Sequence, residues 1–178
     1  LSAVASTPRD WGCCFVLAAD VDLAGRQFTP IGTPSDGPFV GIFDGNGKMI
    51  QRFHCAAEAD SYIGLFGWVQ GGQARIANLV LAEPNVSSEF GRYVAPLVGY
   101  MDGGTVENCH IRDGAAVGFN FVGGLVGRNE GGAVLDCTAH ATVTGLARVG
   151  GLAGENYLGT VWRCRAGAHV DCQRLVGL

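Results

Sequence analysis

The block Val122-Gly123-Gly124-Leu125-Val126-Gly127 decides the fold of this chain, because close variants of it recur along the sequence. The variants begin at residues 62, 94 and 149, so the block returns after 27 to 32 residues each time. A regular period of this kind is typical of proteins built from stacked repeats, in which each repeat contacts only its neighbours. The period therefore predicts a solenoid and not a globule with one central active site.

The residues between the blocks are of the kind found in β-strands. Each block is followed by a glycine-rich turn and by apolar residues at about every second position. The repeat is too short for a propeller blade of about 40 residues, and it lacks the helix of a βαβ unit. We predict an all-β β-solenoid with coils of about 27 residues, each with three short strands.

The repeat assigns the whole chain, 1–178, to a single domain. Residues 1–38 are predicted to form an N-terminal entry or cap segment, and residues 39–178 the stacked coils. The last residues restart the repeat at Arg174. We therefore expect a piece of a longer chain, whose open C-terminal coil continues or is capped by another subunit.

Stacking places equivalent residues above one another at the strand spacing of about 4.8 Å. Two columns of apolar residues are predicted to point inward and to form the core. They are Ile50/Ile76/Val106/Val134/Val161 and Phe53/Leu79/Cys109/Cys137/Cys164.

Three of the seven cysteines share one position in three successive coils, Cys109, Cys137 and Cys164. Thiols that point inward behave as small buried apolar groups and stay reduced. Stacked Cα atoms nevertheless fall within the roughly 4.4–6.8 Å that a disulfide spans. The sequence favours free thiols in this column and leaves the state of the other four cysteines open.

The residue before the cysteine column is predicted to form a corner of the coil. It is Asn78, Asn108, Asp136 and Arg163 in successive coils. Asparagine and aspartate tolerate a left-handed backbone, which is the property of a turn residue. Asn108 above Asn78 could also exchange amide hydrogen bonds along the stack. Both interpretations stay open at this point.

One column of polar and amphipathic residues is predicted to face solvent and to bind a ligand: Trp68, Tyr100, Arg128 and Glu155. Trp68 and Tyr100 could form a platform on which a sugar stacks, although surface aromatic residues are common. Asp102 and Glu130, three residues after the block, could pair as glycosidase carboxylates. Arg128 with Glu130 and Glu155 could form a lyase-like trio, but a salt-bridge cluster is the favoured interpretation.

Composition excludes several classes of function. The net charge is −4 and Lys48 is the only lysine, so the basic stripe of a nucleic-acid binder is missing. No apolar run approaches the roughly 18 residues of a membrane-spanning helix. Asp20 with Asp22, or Asp44 with Asn46, could hold a cation, but a solvated strand face and a turn are favoured. No metal, cofactor or catalytic constellation is predicted.

Several short motifs in a fixed order resemble the GLUG-motif repeat proteins. They are Asp20-Val21-Asp22-Leu23, Pro30-Ile31-Gly32, Phe43-Asp44-Gly45-Asn46-Gly47 and the recurring Gly-Leu-Val-Gly block. The resemblance covers nearly the whole chain and implies a right-handed single-stranded parallel β-helix from exported bacterial surface proteins. Ala95-Pro96 replaces Gly-Gly in one block, so we expect that coil to bulge, because proline donates no ladder hydrogen bond.

The sequence thus predicts a non-catalytic structural or binding module of a secreted or cell-surface bacterial protein, adhesin- or stalk-like. Its partner would be a protein or a glycan on a face of the solenoid, with no nucleic acid and no membrane insertion in this segment. The alternative is a carbohydrate-active enzyme, a polysaccharide lyase or glycoside hydrolase, that uses an outer face.

Overall fold

The computed structural model describes residues 1–57 and 61–172 of the chain, and nearly all of its regular structure is β. The helices are α1, Ser2–Ala5, and a short 3-10 helix, Pro8–Asp10. The strands are β1 Cys14–Val16, β2 Val21–Asp22, β3 Ile42–Asp44, β4 Met49–Gln51, β5 His54–Ala57, β6 Phe66–Gln70, β7 Arg75–Ala82, β8 Asn85–Val94, β9 Val98–Asp102, β10 Thr105–Gly123, β11 Val126–Glu130, β12 Ala133–Leu135, β13 Thr138–Gly145, β14 Ala147–Gly150, β15 Ala153–Tyr157, β16 Thr160–Trp162, β17 Arg165–Ala166 and β18 His169–Cys172.

Every pairing between these strands is parallel, and each strand pairs with its equivalent in the next coil. A large sheet follows the path β1-β3-β7-β10-β12-β16, with further segments beside it, and a small sheet has the order β15-β11-β9-β6. Paired residues of these strands are 27 residues apart for Ala133 and Thr160 and up to 33 apart for Ile42 and Arg75. The predicted β-solenoid with stacked coils is confirmed.

The path of one coil is clearest from β9 to β11. The chain leaves the small sheet at the end of β9, turns at Gly103 and Gly104, and enters β10. Positive φ angles at Asn108 and Asp113 bend β10 into three segments of the large sheet, and a third at Phe121 turns its last residues toward the block. The coil therefore contains the three predicted strand segments in the large sheet together with one strand in the small sheet.

The predicted inward column through Ile76, Val106 and Val134 is confirmed, and all three side chains are fully buried. The placement of Ile50 at its start was wrong, because Phe43 pairs with Ile76. Ile50 pairs instead with Leu81, two positions after Leu79. The reason is the turn at residues 44–47, where positive φ angles at Asn46 and Gly47 accommodate a longer corner.

Phe53 was also assigned to the wrong column, for the same reason. Its carbonyl accepts a hydrogen bond from the amide of Asn85 at 2.8 Å, so it lies beyond the second corner and not beside Leu79. Phe53 is nevertheless fully buried and packs edge-on against Phe28, with ring centroids 5.3 Å apart. The inward direction was predicted correctly and the register was not.

Glycine recurs in the block because two backbones meet there. A Cβ added to Gly124 would collide with the carbonyl oxygen of Gly151, and one added to Gly127 with that of Gly99. The neighbouring coil occupies the space that any side chain would need. The block is therefore a requirement of close stacking where the chain passes from the large sheet to the small one.

The bulge expected at Ala95-Pro96 is present against the preceding coil, because Val94 pairs with Ile63 but Val98 pairs with Phe66, which leaves one extra residue in this coil. Against the following coil the register does not change. Both residues are buried, and the carbonyl of Pro96 accepts a hydrogen bond from the amide of Leu65 at 3.1 Å. The small sheet continues from Phe66 through Val98 to Val126 without a shift in register. Pro96 occupies the bend between the two sheets, where the missing amide hydrogen does not interrupt a strand.

The cysteine column is confirmed, and its members contact one another in series. The amide of Cys109 donates to Sγ of Cys137, and the amide of Cys137 to Sγ of Cys164, each over 3.4 Å. All seven cysteines lie in the described residues, and no disulfide joins them. Burial raises the pKa of the Cys109 thiol well above its ordinary value, so this group stays protonated.

The corner column shows that both interpretations of Asn78 and Asn108 apply. Both residues adopt a positive φ, as turn residues do. The side-chain amide of Asn108 also donates to Oδ1 of Asn78 at 2.8 Å, and that of Asn78 to Oδ1 of Asp44 at 3.0 Å. The polar side chains at this corner thus satisfy one another from coil to coil. The predicted restart of the repeat at Arg174 lies outside the described residues.

Candidate functional site

The predicted solvent-facing column lies on the small sheet. Trp68 pairs with Tyr100, Tyr100 with Arg128, and Arg128 with Glu155, each in the adjacent coil. Their neighbours two positions along the strands form a second column, Gln70, Asp102, Glu130 and Tyr157. We call these two columns together the small-sheet face. The strands hold these side chains on a continuous β surface, because alternate residues of a strand point the same way.

A third column, which the sequence analysis missed, adjoins this face at the corner of the coil. Tyr62, Tyr93 and Phe121 each adopt a positive φ directly before the first apolar residue of a block. Ring centroids are 4.9 Å apart between Tyr62 and Tyr93, and again between Tyr93 and Phe121. The signal was available, since an aromatic residue stands immediately before Ile63, Val94 and Val122.

The aromatic corner and the small-sheet face form one contiguous cluster. The ring of Tyr62 meets that of Tyr100 edge-on at 5.7 Å and lies 6.2 Å from Trp68. The ring of Tyr93 lies 5.1 Å from that of Tyr100. Such pairs are worth about 0.5–1.5 kcal/mol each beyond their area burial, so the rings hold one another in fixed orientations.

Arg128 connects the aromatic part of the cluster to the acidic part. Its guanidinium carbon lies 5.4 Å from the ring centre of Phe121 and 5.7 Å from that of Tyr157. It forms ion pairs with Glu130 at 3.1 Å and with Glu155 at 3.0 Å. The Arg128 side chain is only 22% exposed, and although burial opposes it, contact with Tyr93 and the two carboxylates raises its pKa. Arg128 is therefore a fixed cation.

The acidic groups of the face are engaged with other side chains. Glu130 accepts a hydrogen bond from the hydroxyl of Tyr100 at 2.8 Å, and Glu155 pairs with Arg148 at 3.1 Å as well as with Arg128. Burial and the hydrogen bond to Glu130 raise the pKa of Tyr100, so its hydroxyl stays protonated and donates. Asp102 accepts a hydrogen bond from Gln70 at 2.9 Å.

The structure brings together all four predicted site residues and both members of the proposed carboxylate pair. Asp102 and Glu130 are direct neighbours across β9 and β11. Each, however, already accepts hydrogen bonds from a neighbouring coil, and the trio of Arg128, Glu130 and Glu155 is a salt-bridge cluster. The chemistry most accessible to this face is stacking against rings and polar contact with a bound partner.

The carboxylates considered as cation ligands have structural partners. Asp22 forms an ion pair with Arg52 and caps the amide of Ala24 at 3.0 Å. Asp20 accepts from the amide of Met49 at 2.8 Å, and Asp44 from that of Asn46 at 2.8 Å. Within residues 1–57 and 61–172, no group of three metal-ligating side chains is found. Across the same residues, no helix has the length and apolar character to cross a membrane.

In-register parallel strands, inward apolar columns and repeated glycine bends define the class of this molecule as a parallel β-solenoid. Residues 122–144, which run from the defining block through β12 into β13, match the model of the GLUG motif. This match confirms the predicted resemblance to the GLUG-motif repeat proteins.

Two comparisons with known proteins agree with that class. The chain is 32% identical over 111 residues to halomucin of Haloquadratum walsbyi, a match that spans 62% of this chain and 1% of halomucin. It also resembles a crystal structure from Bacteroides ovatus described as a candidate immunoglobulin A1 protease, with a TM-score of 0.63 and 18% identity. That similarity covers 93% of this chain and 73% of the other, and at this identity it concerns the fold alone.

Proposed function

We propose that this chain is a non-catalytic repeat module of an exported bacterial surface protein, with an adhesin- or stalk-like role. The GLUG repeat and the β-solenoid fold fit a repeat module of a surface protein. Stacked coils extend a chain along one axis while exposing long regular faces, which suits both a spacer and a binding surface.

The observation that carries the non-catalytic assignment is the mutual engagement of the outward polar groups. Glu130 is held by Tyr100 and Arg128, and Glu155 by Arg128 and Arg148. A general acid or base must be able to reach a substrate proton, and a catalytic pair needs environments that separate its two pKa values. Groups that are bound to one another in this way act as structural supports for the face.

The proposed binding surface is the small-sheet face with its aromatic corner. Trp68 and Tyr100 supply apolar ring area, and Arg128 and Glu155 supply fixed charges beside it. Aromatic and arginine side chains are the residues most enriched where partners bind. A protein or glycan partner on this surface would meet a pre-arranged set of side chains.

We propose export because the chain is similar to halomucin and its repeat resembles that of the GLUG-motif proteins. An antibody against this chain would label intact cells of the source organism, and brief protease treatment of those cells would remove the label. Retention of the protein inside protease-treated intact cells would contradict the surface assignment.

The catalytic alternative is tested directly by incubating the purified chain with a panel of neutral and acidic polysaccharides. New reducing ends and unsaturated products would be measured over time. We expect no turnover above the blank. Turnover that disappears in Asp102→Asn or Glu130→Gln, with Trp162→Ala as the matched surface control, would instead identify a carbohydrate-active enzyme.

A further inference from the structure

A cavity of about 380 Å³ lies at the N-terminal end of the aromatic corner. One wall comes from the segment before the first block, with Thr29, Pro30 and Ser35, and the other from the coil that begins at Ser61 and Tyr62. Its size is within the range of pockets that hold small ligands, about 300–1,000 Å³. The stacked rings Tyr93 and Phe121 continue from Tyr62 along the solenoid.

The described residues that line the cavity combine hydroxyl groups with apolar surface and include no charged side chain. The hydroxyls belong to Thr29, Thr33, Ser35 and Ser61. An anionic ligand would find no opposite charge among them and would meet the exposed carboxylate of Asp36 beside Thr33. A purely apolar ligand would take hydrogen-bonding surface out of water without replacing its hydrogen bonds. A neutral ligand with many hydroxyl groups of its own avoids both costs.

Two of the hydroxyls are already oriented by the protein. The Thr33 hydroxyl donates to Oδ2 of Asp36 at 2.8 Å, and the Ser35 hydroxyl lies 2.9 Å from that of Thr33. Asp36, an exposed residue of the same loop, accepts from both hydroxyls and so fixes their directions. A hydroxyl that can rotate both donates and accepts, and one that is pre-oriented loses less entropy when a ligand binds.

Among the described residues of the lining, Tyr62 is the one aromatic residue, and its ring is also held in place. It contacts three other rings, Tyr93 at 4.9 Å, Tyr100 at 5.7 Å and Trp68 at 6.2 Å. Its amide donates to the carbonyl of Arg92 at 2.9 Å, which fixes the backbone as well. The face of such a ring is electronegative and attracts the weakly positive C–H groups of a sugar ring.

We propose that this cavity binds one residue of a neutral saccharide, which stacks on Tyr62 and hydrogen-bonds with the surrounding hydroxyls. The partly exposed ring of Tyr93, next to Tyr62, provides a further contact for a sugar that follows in the same glycan. The proposal rests on the proposed function only in treating the chain as a binding module. It narrows the partner to a neutral glycan and the site to the cavity beside Tyr62.

The test is a binding titration of the purified chain against tetrasaccharides of glucose, mannose, galactose and N-acetylglucosamine, with matching uronic-acid and sialylated oligosaccharides. We expect at least one neutral tetrasaccharide to bind and its acidic counterpart to bind at least tenfold more weakly. Tyr62→Ala is expected to lower the affinity at least tenfold, and Tyr62→Phe to keep most of it. Trp162→Ala removes an exposed aromatic side chain from another sheet and is expected to leave binding unchanged.

A second variant keeps the test informative if Tyr62→Ala unfolds. Thr29 is exposed at the mouth of the cavity, so Thr29→Trp fills the cavity without disturbing the ring contacts of Tyr62. It is expected to abolish binding while the midpoint of thermal unfolding stays the same. The proposal is overturned if no neutral tetrasaccharide binds, if acidic ones bind better, or if Thr29→Trp leaves binding intact. None of these outcomes concerns turnover or cell-surface exposure, by which the proposed function stands or falls.

Discussion

The two ends of the described solenoid differ in how their core is covered. At the N-terminal end, Leu1 and Val4 pack against the core, and Trp11 is only 2% exposed. The indole nitrogen of Trp11 donates to the carbonyl of Val4 at 2.8 Å and ties the short helix α1 to the first coil. At the other end, Val161 and Val170 continue buried columns but are 40% and 42% exposed.

The comparison shows that burial in this fold depends on the next coil more than on the residue itself. Val134 and Val161 hold the same position one coil apart, and only Val134 is fully buried. The interior also changes along the axis, from packed rings of Phe39, Phe43 and Phe66 to smaller residues in later coils. Stability in such a stack is approximately a sum of single-repeat and neighbour terms, so equal substitutions should have unequal effects.

The largest expected effect tests this directly by making the same substitution, leucine to alanine, in two adjacent coils. Leu125 is fully buried, while Leu152, whose carbonyl accepts from the amide of Leu125, is partly exposed. Leu125→Ala is expected to lower the free energy of unfolding by about 2–5 kcal/mol, as for a core leucine. Leu152→Ala should cost less than about 2 kcal/mol, because part of its area already meets water. Denaturant titrations give both values.

The slope of each titration is the control, since a stack of coils can unfold in stages. A reduced slope would show that the last coil separates from the others before the rest unfolds. Equal losses for Leu125→Ala and Leu152→Ala at equal slopes would contradict the comparison. They would mean that Leu152 is buried in solution by residues outside those described.

The corner column provides a second comparison, with a smaller effect. Asn78 bonds to Asp44 and Asn108, whereas Arg163 forms an exposed ion pair with Asp136 at 2.6 Å. Asn78→Ala is expected to cost about 1–3 kcal/mol, from two hydrogen bonds and a left-handed backbone. Arg163→Ala should cost less than about 1 kcal/mol, as surface ion pairs do.

Asn78→Gly separates the two causes, because glycine accepts a positive φ without strain but makes no side-chain hydrogen bond. Its cost, measured by denaturant unfolding, should lie between those of Asn78→Ala and the unchanged chain. If Asn78→Gly and Asn78→Ala were equally destabilised, the backbone conformation would contribute nothing. If Asn78→Ala cost no more than Arg163→Ala, the amide ladder would have no net effect on stability.

The periodic part of the molecule was predictable from sequence, and the irregular part was not. The columns through Cys109 and Tyr100 follow from the period, since equivalent residues must stack. The position of Ile50 depends on the length of one turn, which the apolar pattern does not record. A one-residue change in register moves every side chain to the other face, so such errors matter.

The repeat pattern of the sequence does not predict the cavity at Tyr62. One of its walls comes from the non-repeating segment around Thr33, which contacts a coil about 30 residues away in the chain. The direction of the Tyr62 ring depends on a left-handed corner, and strand alternation predicts nothing at such a residue. Aromatic residues before three of the four blocks were visible in the sequence, but the pocket required the three-dimensional arrangement.

The smallest expected effect concerns acid, and it again involves the N-terminal coils. Hydrogen bonds from the side chain of Asn78 and the amide of Asn46 lower the pKa of Asp44 below its ordinary value. A carboxyl group whose pKa is lower in the folded state stabilises the fold above its unfolded pKa, about 3.9, and that contribution is lost as the pH falls through the folded pKa. The unchanged chain should therefore lose more stability between pH 5 and pH 3 than Asp44→Asn does.

Thermal unfolding at several pH values measures this difference, which we expect to be a fraction of the Asn78→Ala effect. The control is a double-mutant cycle, since Asp44 and Asn78 share one hydrogen bond. In an Asn78→Ala background, Asp44→Asn should change the pH dependence less, because the hydrogen bond that lowers the pKa of Asp44 most has been removed. If Asp44→Asn changed the pH dependence as much in that background as in the unchanged chain, the acid response would belong to the local turn at Asn46. The corner ladder would then stabilise the stack through its neutral amide hydrogen bonds, with the Asp44 carboxylate serving only its own turn.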